Sequence, residues 1–201
     1  IDVDVPRLIG IHGPLNGGKD TIANMIKWRF EHRFGRYAFA LPIKQACQIM
    51  FGFSNLQLED RVAKEAEDPF WGFTPRKAMR LLGTEYGRDM LRKDLWIKRA
   101  ELEHKQNVSN GRGTIISDVR FENEAEWIRS VPGAVLIYIQ VPNLDRGGSN
   151  YQHASEAGIK LESTDIVIVN DKSLGLDSLQ RRIDEIFYSS STSDDSWVRL
   201  G

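Results

Sequence analysis

Cysteine is nearly absent from the sequence, since Cys47 is the only one among 201 residues. No disulfide can form within these residues, which is typical of a protein in a reducing compartment. Cys47 lies in the apolar stretch 43–50, so we expect it to be a plain buried residue. The first seven residues lack the pattern of a signal peptide, and we therefore expect a cytoplasmic location.

Long apolar runs and an excess of either charge sign are missing as well. No apolar run approaches the ~20 residues that span a bilayer. The chain has 27 basic and 28 acidic residues, with a formal net charge of −1. We therefore expect neither a membrane nor a nucleic-acid polymer as a partner. Hydrophobic residues make up 41% of the sequence, which is enough for the core of a globular domain.

Short apolar runs alternate with helical patterns along the chain. Because the runs are apolar on both faces, they predict a parallel five-stranded sheet covered by helices on both sides, the doubly wound α/β fold. Ligands of such folds bind beyond the carboxyl ends of the strands. The predicted strands are 8–12, 37–40, 114–117, 135–141 and 165–169, and the main predicted helices are 22–30, 42–51, 75–90, 95–106, 122–129 and 174–187.

A glycine turn, residues 13–19, separates the first predicted strand from the first predicted helix. Its pattern of Gly, four residues and Gly-Lys is that of a P-loop, in the strand–turn–helix context that the motif needs. Backbone N–H groups and the helix N-terminus would bind phosphate oxygens, while the lysine reaches the β- and γ-phosphates. The sequence therefore predicts that ATP phosphates bind Gly13, Asn16, Gly17, Gly18, Lys19, Asp20 and Thr21.

The position after the motif lysine normally holds Ser or Thr, whose hydroxyl binds Mg²⁺, but here it is Asp20. Either Asp20 contacts the metal, directly or through water, or Thr21 supplies the hydroxyl. Asp118 follows a predicted strand and can hold Mg²⁺ through water or orient the acceptor. We therefore predict an Mg²⁺ site among Asp20, Thr21 and Asp118.

Basic and aromatic residues suited to a phosphate-bearing acceptor stand in later segments. Arg120 can grip a phosphate bidentately, although with Asp118 it can equally form a structural ion pair. A lone lysine or a helix arginine can also be merely solvated, and Trp96 can be core as well as a flat face for a base. The predicted acceptor residues are Lys44, Arg76, Lys77, Arg80, Glu85, Arg88, Trp96, Asp118 and Arg120.

Two loops complete the predicted site. Residues 144–151 are rich in Gly, Asn and Ser, which predicts a mobile loop, either a closing lid or an ordinary surface loop. Its closure would bring Arg146 to the transferring phosphate and exclude water, the competing acceptor. Asn170 and Asp171 follow the last predicted strand, where their backbone can flank the adenine of ATP.

These blocks, read together, resemble the phage deoxynucleoside monophosphate kinases, a branch of the P-loop nucleotide kinases. The resemblance spans about residues 8–180 and is carried by 13–21 with its Gly-Lys-Asp-Thr ending, 42–44, 76–85 with Trp96, 118–120, and 153–158 with 169–171. It implies that Arg76, Trp96, Asp118 and Arg120 hold the deoxynucleotide, and that His153 and Glu156 belong to the lid region. It also implies a homodimer, in the host cytoplasm if the chain is phage-encoded.

The chain departs from the family pattern in two places. The strand before the lid ends Gln140-Val141-Pro142, where the family tends to have arginine before the proline, and Arg146 is our candidate replacement. The insertion before Arg76 is also short, which bears on base selection. We predict a kinase domain over 1–188, with an acceptor-binding insertion at about 42–107 that is loop-rich over 54–74, a lid at about 142–157, and a polar tail over 189–201.

The main hypothesis is a kinase that transfers the γ-phosphate of ATP to a (deoxy)nucleoside monophosphate, with Mg²⁺. Catalysis would rest on positioning and charge stabilisation by Lys19, Asp118, Arg120 and Arg146. One alternative is a kinase of another small acceptor, such as dephospho-coenzyme A. A second alternative is a nucleotide-binding module without turnover, suggested by Asp20 and the missing lid arginine.

Overall fold

The structure is a computed structural model, and it describes residues 6–31, 33–142 and 158–192. Within these residues, five strands form one sheet in the order β2-β3-β1-β4-β5, and all neighbouring strands are parallel. This order places β1 at the centre of the sheet, with the chain continuing from its carboxyl end into the glycine turn. The strands are β1 (Leu8–His12), β2 (Phe34–Tyr37), β3 (Gly113–Val119), β4 (Val135–Gln140) and β5 (Ile166–Val169).

Helices connect β1 to β2, β2 to β3 and β3 to β4, and a further helix follows β5. Capping is explicit at two of them: Ser54 and Gln57 form a capping box, and the Thr74 side chain accepts from the backbone of Lys77, with Pro75 at the first helical position. The helices are α1 (Lys19–Arg29), α2 (Leu41–Phe51), α3 (Asn55–Glu59), α4 (Pro75–Arg80) continuing into a π-helix (Leu81–Leu91), α5 (Leu95–Ser109), α6 (Glu122–Ser130), and α7 (Gly175–Thr192), which a 3₁₀ turn (Lys172–Leu174) precedes.

Helices cover both faces of the sheet, as predicted. Ile9 and Ile11 of β1 are fully buried in a core that includes residues of α1 and α7. Between them, Gly10 points to the opposite face, where an added Cβ would lie 2.5 Å from the Cδ1 atom of Ile128 in α6. Because successive residues of a strand face opposite sides, β1 is buried between two helical layers. The doubly wound parallel fold is therefore confirmed.

The chain forms two compact units. The first comprises Ile1–Tyr37 and Glu103–Gly201 and contains the sheet, and the second comprises Ala38–Leu102. The second unit has a small core of its own, formed by Cys47, Phe53, Leu58 and Ala78. The insertion predicted at 42–107 lies largely within the second unit. Most of the predicted lid, and the predicted tail beyond 192, lie outside the described residues.

Four predicted elements need correction. The second strand is Phe34–Tyr37 rather than 37–40, because Phe34 is the buried residue that pairs beside Gly113 of β3. The predicted helix 75–90 changes to a π-helix at Leu81, and the stretch predicted as loop-rich contains α3. The last helix extends to Thr192, so the first residues of the predicted tail are helical.

An ion-pair network ties α6 to the segment that leads into β5. The guanidinium of Arg129 makes two bonds to Asp165, of 3.0 and 2.7 Å, and a third of 2.8 Å to the carbonyl of Lys160. The Asp165 side chain is fully buried, and that of Arg129 is only 11% exposed. Hydrogen bonding to Asp165 raises the pKa of Arg129 above its ordinary value. The two side chains are therefore held together by several hydrogen bonds in a buried position.

We expect Arg129→Ala to lower the free energy of unfolding by about 3 kcal/mol, because it leaves the buried Asp165 carboxylate without its counter-charge. Lys98→Ala is the control, since Lys98 forms an exposed pair with Glu101 and its loss should cost under about 0.5 kcal/mol. Urea unfolding of both variants measures the difference. Equal losses in the two would show that the Arg129 network contributes no more than a surface pair.

Cys47 is fully buried in α2, as predicted, and burial raises the pKa of its thiol to about 11. The reactive thiolate is therefore scarce at neutral pH. We expect native protein at pH 8 to resist a thiol-specific reagent such as dithionitrobenzoate, and protein unfolded in urea to react with one equivalent. Rapid labelling of native protein would contradict this placement.

Candidate phosphate-binding site

The glycine turn leaves β1 at His12 and enters α1 at Lys19. Its backbone bends tightly, since the N–H of Gly17 donates to the carbonyl of Pro14 at 3.0 Å. Asn16 and Gly18 have φ angles of 58° and 91°, in the left-handed region. Asparagine and glycine are the residues that tolerate this conformation best, so the sequence suits the turn.

Close packing also explains two of the glycines. A Cβ atom on Gly13 would lie 2.7 Å from the Cβ of Ile139 in β4, a branch point that cannot swing away. A Cβ on Gly18 would lie 2.6 Å from the Nδ2 atom of Asn170, in addition to its strained φ angle. At Gly13 and Gly18, the turn therefore lies so close to the carboxyl ends of β4 and β5 that there is no space for a side chain.

Asn170 holds the turn in this position. Its buried side chain donates from Nδ2 to the carbonyl of Gly17 at 2.9 Å, across 153 residues of sequence. Its backbone N–H donates to the carbonyl of Gln140, at the end of β4, at 2.8 Å. The sequence predicts that the backbone of Asn170 flanks the adenine of ATP. The structure shows, in addition, that the side chain of Asn170 contacts the glycine turn.

Lys19 lies near charged residues of two segments, the start of α1 and the segment 118–120. Its Nζ atom donates to the carbonyls of Gly13 and Pro14, at 2.9 and 2.7 Å. The pKa of Lys19 is lowered, first by burial and then by the positive charge of Arg120, while the charges of Asp20 and Asp118 oppose the shift. Asp118 and Arg120 flank Val119, which pairs with His12 directly before the glycine turn, so the structure brings four of the predicted site residues, Lys19, Asp20, Asp118 and Arg120, to the same edge of the sheet.

The segment with Asp118 and Arg120 is fixed by contacts to its backbone. The register of β1 and β3 slips between Gly10 and His12, so that His12 pairs with Val119. The Nδ1 atom of His12 lies 2.9 Å from the Val119 carbonyl, and because a carbonyl only accepts, Nδ1 is the protonated nitrogen. Burial lowers the pKa of His12. From α6, the buried Glu124 carboxylate accepts from the backbone N–H of Arg120 at 2.9 Å.

Arg36 of β2 contacts the predicted site residue Asp20, although the sequence pattern did not indicate Arg36 as a site residue. Its Nη2 atom donates to Asp20 Oδ1 at 2.5 Å and to Ser117 Oγ at 3.1 Å, and its Nη1 atom donates to Asn24 Oδ1 at 3.0 Å. The second strand was predicted at 37–40, and Arg36 lies outside that range. With β2 drawn at its correct position, Arg36 stands one residue before the carboxyl end of a strand beside β3, where ligands of such sheets bind.

The Mg²⁺ site predicted among Asp20, Thr21 and Asp118 stays a prediction. Within the described residues, no three His, Cys, Asp or Glu side chains are grouped so that they could hold a metal by themselves. Mg²⁺ at nucleotide sites commonly takes only one or two carboxylates and completes its shell with phosphates and water. Asp118 and Thr21 suit such a set, whereas the Asp20 carboxylate is bound to Arg36.

The predicted acceptor residues of the unit Ala38–Leu102 lie in separate local interactions. Trp96 donates from Nε1 to the carbonyl of Gly83 at 2.7 Å, and its ring fills the space beside Gly87. Lys77 is exposed and Arg88 is half-buried. Three predicted cations each pair with a different glutamate, as Lys44 with Glu59 at 2.6 Å, Arg76 with Glu65 at 2.7 Å, and Arg80 with Glu85. The structure therefore gives each of these three cations its own local partner, and their convergence on a nucleotide stays a prediction.

Predicted lid residues cannot be placed in the same way, since Arg146, His153 and Glu156 lie outside the described residues.

A cavity of about 330 Å³ lies beside β5 and the start of α7. Asn170 and Asp171 line it together with the apolar side chains of Val169 and Leu174. Asp171 also caps the 3₁₀ turn by accepting from the backbone N–H of Ser173 at 2.9 Å.

A parallel sheet whose central strand leads through a glycine turn into a helix that begins with lysine defines an α/β protein of the nucleotide-kinase type. The model of the deoxynucleotide monophosphate kinase family matches residues 49–183. The chain belongs to this family. The predicted family, fold class and phosphotransferase class are thus confirmed. Among the described residues, no helix is both long and apolar enough to cross a bilayer.

Curated relatives agree with the family match. A protein of Acanthamoeba polyphaga mimivirus, provisionally named a deoxynucleotide monophosphate kinase, is 34% identical over 179 residues, covering 83% of this chain and 90% of its own length. The deoxynucleoside-5'-monophosphate kinase of Escherichia phage T5 is 24% identical over 238 residues, covering 88% and 94%. The deoxynucleotide monophosphate kinase of Enterobacteria phage T4 is 31% identical over 100 residues, covering 49% and 40%.

We expect Asn170→Asp to destabilise the protein by about 1–3 kcal/mol, and more than Asn170→Ala, because a carboxylate would face the Gly17 carbonyl where an N–H donor stands now. The control is Asn55→Asp. Asn55 accepts an exposed hydrogen bond from the side chain of Gln48. The carboxylate of Asp at position 55 can accept the same hydrogen bond equally well. Urea unfolding at pH 8 compares the variants. If Asn170→Asp were as stable as its control, the bond to Gly17 would not hold the turn.

Proposed function

We propose that this protein transfers the γ-phosphate of ATP to a deoxynucleoside monophosphate and releases the diphosphate and ADP. One observation carries the proposal: a glycine turn places Lys19 at the start of α1, where the charges of Asp118 and Arg120 act on it. Phosphoryl transfer needs cations around the moving group and a fixed line between donor and acceptor. Family membership and the names of the relatives support a deoxynucleotide as the acceptor.

The donor phosphates are assigned to the glycine turn. Its bends at Asn16 and Gly18 expose backbone amides, and α1 contributes the partial positive charge of its N-terminus. Lys19 now donates to two turn carbonyls, and the same ammonium can donate to β- and γ-phosphate oxygens. We assign the adenine to the cavity beside Asn170 and Val169, which begins where the turn is held.

The acceptor phosphate is assigned to Arg120, whose backbone is fixed by Glu124. An oxygen of the acceptor phosphate is already a competent nucleophile. Arg120 and Asp118 therefore need only to position the acceptor, and no general base is required. Mg²⁺, held through Asp118 and Thr21 with Asp20 nearby, would offset charge on the donor phosphates. On the resemblance, we also assign nucleotide binding to Lys44, Arg76, Lys77, Arg80, Glu85, Arg88 and Trp96, and a role in the lid to Arg146, His153 and Glu156.

The resemblance supports two further assignments, a homodimer and a cytoplasmic location. Neither enters the chemistry of the turn. The dimer is measurable by sedimentation equilibrium, independently of activity.

We expect purified protein to form diphosphates from ATP, Mg²⁺ and at least one member of a panel of the eight common ribo- and deoxyribonucleoside monophosphates. Lys19→Ala should lower kcat at least about a hundredfold, because it removes the cation that offsets charge during transfer. Lys98→Ala, which alters only an exposed ion pair, should retain full activity.

The same panel decides between the alternatives. Dephospho-coenzyme A is added as a ninth acceptor, and ATP binding is measured in parallel by calorimetry. Transfer to dephospho-coenzyme A alone would replace the proposed acceptor class. Tight ATP binding without transfer to any acceptor would indicate a binding module instead of a kinase.

A further inference from the structure

Asp20 places a negative charge where the proposed function puts the phosphates of ATP. It is the second residue of α1, directly after Lys19, and its side chain is 81% exposed. A carboxylate is favourable at a helix N-terminus by itself, because it offsets the partial positive charge of the backbone amides. A polyphosphate bound at the same place would be repelled by it, since like charges a few ångströms apart oppose one another.

Arg36 supplies a counter-charge to this carboxylate. The Nη2 atom of Arg36 and the Oδ1 atom of Asp20 lie 2.5 Å apart. A guanidinium does not lose its proton in proteins, so this positive charge persists at any working pH. The pair thus converts a local charge of −1 at the start of α1 into a neutral group.

Two further contacts fix the guanidinium in place. Asn24, one turn further along α1, accepts from Nη1 at 3.0 Å, and Ser117 of β3 accepts from Nη2 at 3.1 Å. Arg36 pairs with Ile115 in the sheet, so its side chain reaches forward along β3 to Ser117. With its side chain only 32% exposed, Arg36 is held by acceptors from two elements, unlike a freely solvated arginine.

We propose that Arg36 is a positioning residue that neutralises Asp20, and thereby allows the polyphosphate of ATP to bind at the N-terminus of α1. The inference rests on the proposed function, because it needs phosphates at the glycine turn. It explains how this chain carries a carboxylate at the position where the P-loop motif has a neutral hydroxyl. Arg36 acts through Asp20 and needs no contact with the ligand.

The test is a charge-compensation cycle measured by calorimetric titration of ATP in EDTA. Removing divalent metal separates the charge of Asp20 from any role as a metal ligand. Arg36→Gln should weaken ATP binding about tenfold, because the negative charge of Asp20 then faces the polyphosphate without its counter-charge. Asp20→Asn in the Arg36→Gln background should restore the affinity to within about threefold of the unmodified protein.

Two more variants separate charge from structure. Arg36→Lys keeps the charge but loses the forked geometry, so it should bind ATP within about threefold of the unmodified protein. Arg29→Gln is the matched control. Arg29 lies at the C-terminal end of α1, the helix whose N-terminal end carries Asp20, and it pairs with Asp184 of α7 at 3.3 Å. It should leave ATP affinity unchanged. Circular dichroism of each variant verifies its folding.

Three results would overturn the inference: unchanged ATP affinity in Arg36→Gln, no recovery with Asp20→Asn, or a loss in Arg36→Lys as large as in Arg36→Gln. The second and third results would assign Arg36 to direct ligand contact or to bridging α1 and β3. Failure of the proposed ATP site looks different, since the unmodified protein would then bind no ATP and no variant would change that. Failure of phosphoryl transfer alone would leave the binding cycle intact and would appear only in the diphosphate assay. Inorganic tripolyphosphate, titrated in the same way, should reproduce the cycle without a base or sugar.

Discussion

The glycine turn approaches the ends of β4 and β5 so closely that its binding surface must be backbone. Gly13 leaves no space for a Cβ beside Ile139, and Gly18 leaves none beside Asn170. Asn170 then fixes the Gly17 carbonyl from the far side of the sequence. A turn held in this way presents its amides without reorganising, and preorganised dipoles are what an anionic ligand needs from a protein. The rest of the site is arranged around this contact.

Charges around the turn alternate in sign, and this alternation limits the cost of assembling them. Three cations, Lys19, Arg36 and Arg120, accompany two carboxylates, Asp20 and Asp118, so the local sum is one positive charge. The lowered pKa of Lys19 reflects its burial and the nearby Arg120. Without the carboxylates the cations would repel each other further, whereas without Arg36 the carboxylates would oppose an anionic ligand. Each charge is thus tolerable because of its neighbours.

How far the sequence predicts this structure depends on the range of the interactions. The glycine turn and Lys19 were predictable, because a local motif defines them, and so were the apolar strands β1, β3, β4 and β5. Strand β2 was placed three residues late, since Gly35 and Arg36 break the apolar run that marks a strand. The π-helix gave no signal, because its hydrophobic spacing over eleven residues differs little from that of an α-helix. Contacts of Asn170 and Arg36 span up to 153 residues, which no local pattern encodes.

A bulge in β3 connects the two parts of the site that phosphoryl transfer must align. Side chains in a regular strand alternate between the faces of the sheet, which would dictate the direction of Asp118. The register slip between Gly10 and His12 inserts one residue in β3 before Val119, and this releases Asp118 from the alternation. His12 then fixes the Val119 carbonyl from the position directly before Gly13. The strand that ends at the glycine turn therefore also sets the position of the segment that carries Asp118 and Arg120, through the pairing of β1 with β3 and the buried hydrogen bond from His12 to the Val119 carbonyl.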